Sequence, residues 1–390
     1  MMKTERKYYE SAYEAEFEAV VVKVDERAGK WCVVLEASCF YPGGGGQPAD
    51  VGNLGGCGVV DCFEDDGLIY HVMERRPDFA AGDLVRGVVD FGRRYAFMQN
   101  HTGEHVLSGL AKSRFGAMNV GFHMSERGFT IDFDLPLSAE ELEELEELAN
   151  RAVARDVDVE LRIVRGEELL GIEARSKKDF GREAEVRLVE VPGYDCCACA
   201  ALHVGNLREV GIVKIVGYAR YKGGVRLNVF CGGDALWDYT RKNGIVKELG
   251  AVFSAEAEGL VAAALRVKAV GGELKKEIDG LKNRIFELRA GAADEGADFA
   301  YYFEEGLDGD GLRRFANLAA GRARIAIVLS GEGAVYRYAA CSHDGEADLA
   351  GFAAKLNEAL DGRGGAGGNV AQGALKAGFE EILEYLEGLV

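Results

Sequence analysis

Between residues 13 and 90, apolar and polar positions alternate over short runs, as in Ala19-Val20-Val21-Val22-Lys23-Val24, Trp31-Cys32-Val33-Val34-Leu35-Glu36 and Gly58-Val59-Val60-Asp61-Cys62-Phe63. A period of two marks half-buried strands, and turn residues separate the runs, so the pattern predicts a small antiparallel barrel or curled sheet. The stretch Gln99 to Ser108 reads as helix, and Phe129 to Asp134 returns to strand. Ser138-Ala139-Glu140-Glu141 is a capping box, and the helix it opens sets Leu142, Leu145 and Leu148 on one side of a glutamate-rich surface. Strand-like runs at Val157 to Val164, Val186 to Val191 and Gly211 to Val216 are mixed with these helices, which predicts an α+β domain.

From about Ile245 to Ala290 the pattern is helical. Leu274, Ile278, Leu281, Ile285 and Leu288 form a heptad seam, suited either to a homodimer or to an intramolecular helical hairpin. The last hundred residues carry a buried strand, Ile325 to Leu329, a helix ending near Leu360, the glycine-rich segment Gly362 to Asn369 and a final helix. This predicts a small α/β domain, with the glycines as a turn at a helix start whose free N–H groups could bind phosphate. The expected organisation is a β-barrel over residues 1–90, an α+β domain over 91–240, a helical linker over 241–292 and a C-terminal α/β domain over 293–390.

Composition narrows the class. Hydrophobic residues make up 48% of 390, enough for real cores, and no run of eighteen apolar residues or cleavable leader is visible, so a soluble, cytoplasmic protein without a membrane partner is expected. Nine cysteines, three of them between Cys196 and Cys199, favour metal binding and buried thiols over disulfides. A formal charge of -19 argues against sequence-blind nucleic-acid binding. Residues 206–248 are an exception, with eight lysines and arginines against four acids and Tyr218, Tyr221, Trp237 and Tyr239 among them, which fits either an RNA surface or ordinary cross-strand packing.

The chemistry concentrates in three places. His101 and His105 stand four apart on the expected helix, so both imidazoles share a face and can close on one ion. Cys199 and His203 repeat that spacing a hundred residues later, and three imidazoles with a thiolate suit tetrahedral zinc. With all four bound, the ion organises a pocket; with one displaced, it can lower the pKa of a bound water to about 7. Phe40-Tyr41-Pro42 leads into Gly43-Gly44-Gly45-Gly46-Gln47-Pro48-Ala49-Asp50, where the glycines permit positive φ and close backbone approach. His101-Thr102-Gly103-Glu104-His105 also fits the H-x-x-E-H pattern of a metallopeptidase, with Glu104 as base, although a glutamate beside a ligand usually points elsewhere. His71, His123 and His343 have no partner at ligand spacing and read as surface or satisfied core residues.

Taken in order, the Phe40 to Asp50 motif, His101-x-x-x-His105 and Cys199-x-x-x-His203 resemble the free-standing alanyl-tRNA editing proteins of the AlaX family, similar to the editing region of alanyl-tRNA synthetase. The last domain, with Ala371-Gln372-Gly373, looks like the DHH-associated domain of the long AlaX form. The resemblance implies a hydrolase that deacylates alanine tRNA mischarged with serine or glycine, with zinc as cofactor and the 3′ acceptor end of the tRNA as partner. Carried onto this chain, it implies a zinc shell of His101, His105, Cys199 and His203, catalytic roles for Ser38 and Gln47, and substrate contacts from Gly44, Gly45, Gly46, Asp50 and Arg94. Two positions depart from the family. Ser38 stands where threonine is usual, and Cys199-Ala200-Ala201-Leu202-His203 replaces Cys-x-Gly-Thr-His, removing a hydroxyl at Leu202. A zinc domain that binds tRNA without hydrolysing it is the non-enzymatic alternative.

Overall fold

Six strands, β1 (Glu16–Arg27), β2 (Lys30–Leu35), β3 (Gly52–Leu54), β4 (Cys57–Asp65), β5 (Leu68–Met73) and β6 (Leu84–Val89), close into a ring in the order β1-β2-β5-β4-β3-β6. Alternation explains the closure: Phe17, Ala19 and Val21 of β1 point inward with Val33, Leu35, Leu54, Val59, Met73, Val85 and Val89. The backbone needs glycine where strands crowd. A Cβ on Gly52 would lie 2.2 Å from the carbonyl oxygen of Val88. The computed structural model describes residues 3–169, 171, 172, 174, 175, 185–291, 295–343, 345 and 347–389.

Helix α1 (Phe91–Phe115) follows, its first turn capped by the Asp90 carboxylate accepting from the Arg93 N–H and its end closed by Gly116 at φ 70°. Its buried residues run from Arg94 to Ala111 and include polar ones, His101, Thr102, Glu104, His105 and Ser108, so the helix sits inside its unit rather than on its surface. After it in the chain come β7 (Asn119–Met124), β8 (Phe129–Phe133), α2 (Ala139–Val153), β9 (Glu160–Arg165), β10 (Glu185–Val191), β11 (Asp195–Ala198), β12 (Val213–Tyr221), β13 (Gly224–Cys231) and α3 (Gly232–Phe253). One sheet has the order β12-β13-β8-β7, and a second β9-β10-β11. The expected capping box at Ser138 is present, with Leu142 and Leu145 buried. In the cation-rich stretch, Arg226 pairs with Asp132 through two hydrogen bonds and lies 3.8 Å over the Tyr221 ring, while Arg127 lies 4.3 Å over Trp237. These partners are internal.

The chain divides into two compact units, Met1–Val246 and Lys247–Val390. The second contains α4 (Leu260–Ala290), β14 (Ala297–Phe303), α5 (Gly309–Ala319), β15 (Ala323–Glu332), β16 (Val335–Ser342), α6 (Leu349–Ala359), β17 (Arg363–Gly367), β18 (Val370–Leu375) and α7 (Phe379–Glu387), with sheet order β14-β15-β16-β18-β17. Two expectations change here. The glycine-rich segment is the edge strand β17, paired antiparallel with β18, and not a turn at a helix start. Glycine serves close strand approach instead: a Cβ on Gly364 would meet the Gln372 carbonyl at 2.3 Å. The seam Leu274, Ile278, Leu281, Ile285 and Leu288 is more than half exposed at every position, so no intramolecular hairpin covers it among the described residues; α4 buries Phe286 and Ala290, with Phe286 stacked 4.7 Å from Phe315. Among the described residues no helix is long and apolar enough to cross a membrane.

Candidate metal centre

α1 places His101, Glu104 and His105 on one face, and the loop after β11 brings Cys199 and His203 against it. One donor atom from each of His101, His105, Cys199 and His203 lies within 4.8 Å of the others. The Cys199 Sγ is 3.6 Å from His101 Nε2. Tetrahedral zinc, with bonds of about 2.3 Å to sulfur and 2.0–2.1 Å to nitrogen, requires that separation to be roughly 3.6 Å. Among the described residues the buried His203 Nε2 has no hydrogen-bond partner, while its Nδ1 stands 3.3 Å from the Thr102 hydroxyl. Burial would raise the Cys199 thiol, yet the neighbouring imidazoles of His101, His105 and His203 outweigh it and hold it well below its ordinary value. Burial also lowers His203 to about 3. A thiolate and a neutral imidazole are the forms a metal needs, so the donor set fits a zinc ion.

The supporting groups were not legible beforehand. Asp195 stands 2.9 Å from His105 Nδ1 and receives two 2.7 Å hydrogen bonds from Arg175. Burial works against the Asp195 carboxylate, but these two partners keep it at about 2. A carboxylate behind a ligating imidazole fixes the ring's tautomer and orientation. Thr102 accepts from the Val204 N–H as well as facing His203, so a hydroxyl stands behind that ligand although Leu202 provides none. Tyr9 Oη donates to the Ala200 carbonyl and Arg187 Nη1 to those of Cys199 and Ala201, fastening the loop. Glu104 does not point elsewhere: it lines the cavity, its Oε1 accepting from Ser108 Oγ and Asn119 Nδ2 at 2.5 Å each.

A cavity of about 970 Å³ opens on this cluster, lined by Gly45, Gly46, His101, Glu104, His105 and Cys199 among others. All four glycines of the loop have positive φ, from 60° to 136°, which explains the run. Gly45 sits tightest on the metal loop, where a Cβ would come 3.9 Å from Cys199 Sγ. The Gly44 N–H is already bonded to the Gln47 carbonyl, and Gly44 does not line the cavity. Gln47 is buried and does not line the cavity either, its Oε1 accepting from the Leu202 N–H at 3.3 Å and its Nε2 without a partner among the described residues.

Three other expected site residues lie off the cavity wall. Ser38 is fully buried in the ring, 2.7 Å from His71 Nε2. Because His71 Nδ1 faces the Val33 carbonyl, Nδ1 carries the proton and Ser38 donates to Nε2, committing its hydroxyl. His71 is thus the satisfied core histidine its spacing suggested. Asp50 and Arg94 are paired with each other, both side chains at most 1% exposed. Arg94 also donates to the carbonyls of Ala12, Glu14 and Cys39, which uses the guanidinium as a bolt between the ring and α1.

No family model matches this sequence. The chain is 31% identical, over 98% of its own length, to alanine–tRNA ligase of Pyrococcus abyssi, and 32% identical over 83% to that of Thermofilum pendens. It spans 43% and 36% of those two proteins. Among solved structures it is similar to the C-Ala domain of Aquifex aeolicus alanyl-tRNA synthetase, at 21% identity and a TM-score of 0.22 over 25% of this chain and 95% of that one. Over most of its length, then, the chain is a homologue of the alanyl-tRNA synthetases.

Proposed function

We propose that the cavity hydrolyses the ester joining serine or glycine to the 3′ end of mischarged alanine tRNA, acting in trans on tRNA that a synthetase has released. The observation that carries this reading is the convergence of His101, His105 and Cys199 with the Gly45-Gly46 backbone on one cavity, with His203 completing their donor cluster. On this reading the closed ring of strands is the small β-barrel of the editing layout, residues 293–390 are the DHH-associated-like domain, and the protein works in the cytoplasm.

A zinc ion held by the four ligands would organise the pocket or, with one ligand displaced, supply Lewis acidity to a water or carbonyl oxygen. The remaining work falls to the chain itself. Gln47, next to Gly46 in the chain but off the cavity wall itself, keeps a buried Nε2–H with no partner among the described residues, and in this proposal it reads the acyl group's hydroxyl from there. A site that hydrogen-bonds serine's extra hydroxyl is left with an unpaired buried donor by alanine, a discrimination of roughly 10⁴ in favourable cases. Gly45 and Gly46 allow the substrate backbone-close approach, and Glu104 stands on the cavity floor to take a proton from the attacking water.

The test is deacylation of alanine tRNA charged with serine, glycine or alanine, with Cys199→Ala beside the native protein. Loss of serine with alanine spared, abolished in the variant, supports the reading. Tight tRNA binding with no deacylation of any ester overturns it in favour of a binding module.

A further inference from the structure

The cavity is lined by several arginines, and one of them is held unlike the rest. Arg6 pairs with Glu64, Arg162 with Glu190, and Arg175 with Asp195. Arg187 has no carboxylate partner among the described residues. Its Nη1 donates to the Cys199 and Ala201 carbonyls at 2.9 and 2.7 Å, and its guanidinium lies 5.1 Å over the Tyr9 ring. Nε and Nη2 make no hydrogen bond among the described residues, and the group faces the cavity. A guanidinium presents its donors as a planar fork, and a fork with free tines beside a cavity suits an oxyanion.

A second observation lies in the strand register. Ile163 of β9 is directly opposite Arg187 of β10, and Leu161 is two residues along on the same face. Both line the cavity, yet they are 73% and 48% exposed. An uncovered aliphatic pair beside a guanidinium whose Nε and Nη2 are unbonded among the described residues offers one flat apolar surface and one anion site, the two features of a nucleotide.

We propose that Arg187, Leu161 and Ile163 form the seat of the tRNA's terminal nucleotide, the guanidinium taking the phosphodiester on its 5′ side and the aliphatic pair taking the face of the base. This rests on the deacylase reading, which decides which end of the RNA enters. The bonds from Arg187 to the Cys199 loop put the anion site next to the metal centre, so the phosphate engaged is the first one back from the ester. A charge-assisted contact in this setting lowers KM about ten- to a hundredfold.

The experiment compares 3′-seryl-adenosine with its 5′-methylphosphate diester as substrates, and their non-hydrolysable 3′-amides as ligands in calorimetry. The native protein is expected to favour the phosphorylated member of each pair by that factor. In Arg187→Gln the preference should fall to near unity, and in Arg187→Lys, which keeps the charge, most of it should remain. Ile163→Ser should raise KM for both members alike, since the base is common to them. Zinc content is measured in every variant. If Arg187→Gln weakens both compounds equally with the preference intact, the residue only fastens the loop and the proposal is overturned. Absence of a phosphate preference in the native protein overturns it as well. Should neither ester be hydrolysed while the phosphorylated amide still binds more tightly through Arg187, the phosphate seat stands and the deacylase reading falls.

Discussion

Replacing Arg94 by alanine distinguishes a structural bolt from a substrate contact. The side chain is 0% exposed, and its removal strands the buried Asp50 carboxylate, whose Oδ1 already lacks a partner among the described residues. The carbonyls of Ala12, Glu14 and Cys39 lose their donor at the same time. Breaking a buried pair by deleting one member costs about 3–5 kcal/mol, because a charge is left in low dielectric. Arg94→Lys should recover only part of this, since an ammonium cannot span Asp50 and three carbonyls with a planar fork. For an m-value of roughly 2–3 kcal/mol/M, the urea midpoint should drop by about 1–2 M. Tryptophan fluorescence reads the right unit, because the chain's two tryptophans, Trp31 and Trp237, both lie in Met1–Val246. An unchanged midpoint with a raised KM for the charged tRNA would refute this argument and return Arg94 to the substrate-binding role that the family resemblance implied.

Further outcomes can be checked independently. Burial holds His71 at about 4, so between pH 6.5 and 4 the unfolded chain binds a proton that the folded one does not. The stability tied to His71 is therefore complete above pH 6.5 and is lost as pH falls through 4, a change of about 3 kcal/mol; urea titrations at several pH values should show this slope, and His71→Gln should remove it. Cys199→Ala should abolish stoichiometric zinc in elemental analysis, and chelation of the native protein should lower its melting temperature, since a closed metal shell contributes folding free energy. Gly109→Ala should destabilise by about 1–3 kcal/mol despite alanine's better helix propensity. Its Cβ would sit 2.0 Å from the Tyr194 carbonyl oxygen, and the shift needed would draw Asp195 from His105, so weaker zinc retention should accompany the lower midpoint.

The convergence of His101, His105, Cys199 and His203 could be anticipated from the sequence because each half of the cluster is local. Four residues along a helix bring His101 and His105 onto one face whatever surrounds them. The same rule extends to Glu104, three residues from His101, whose place on the cavity was available in the spacing although its neighbour's ligand role argued against it. Four consecutive glycines likewise announced a backbone that other residues cannot adopt, and all four have positive φ. Misreadings came where one local pattern serves two environments. Glycines Gly364 to Gly368 suit a phosphate loop or a crowded edge strand, and pairing with Val370–Leu375 selects the second.

By itself, then, the sequence determined the strand and helix periods, the capping box at Ser138 and the two four-residue spacings behind the His/Cys cluster, all set by contacts a few residues apart. Only the tertiary structure decided that Asp50 and Arg94 face each other across 44 residues, that Asp195 stands behind His105, and that Arg187 reaches the cavity without an acidic partner among the described residues. Such groups are joined by long-range packing and carry no periodic signal. Their charges find partners, or fail to, only after the chain has closed around them.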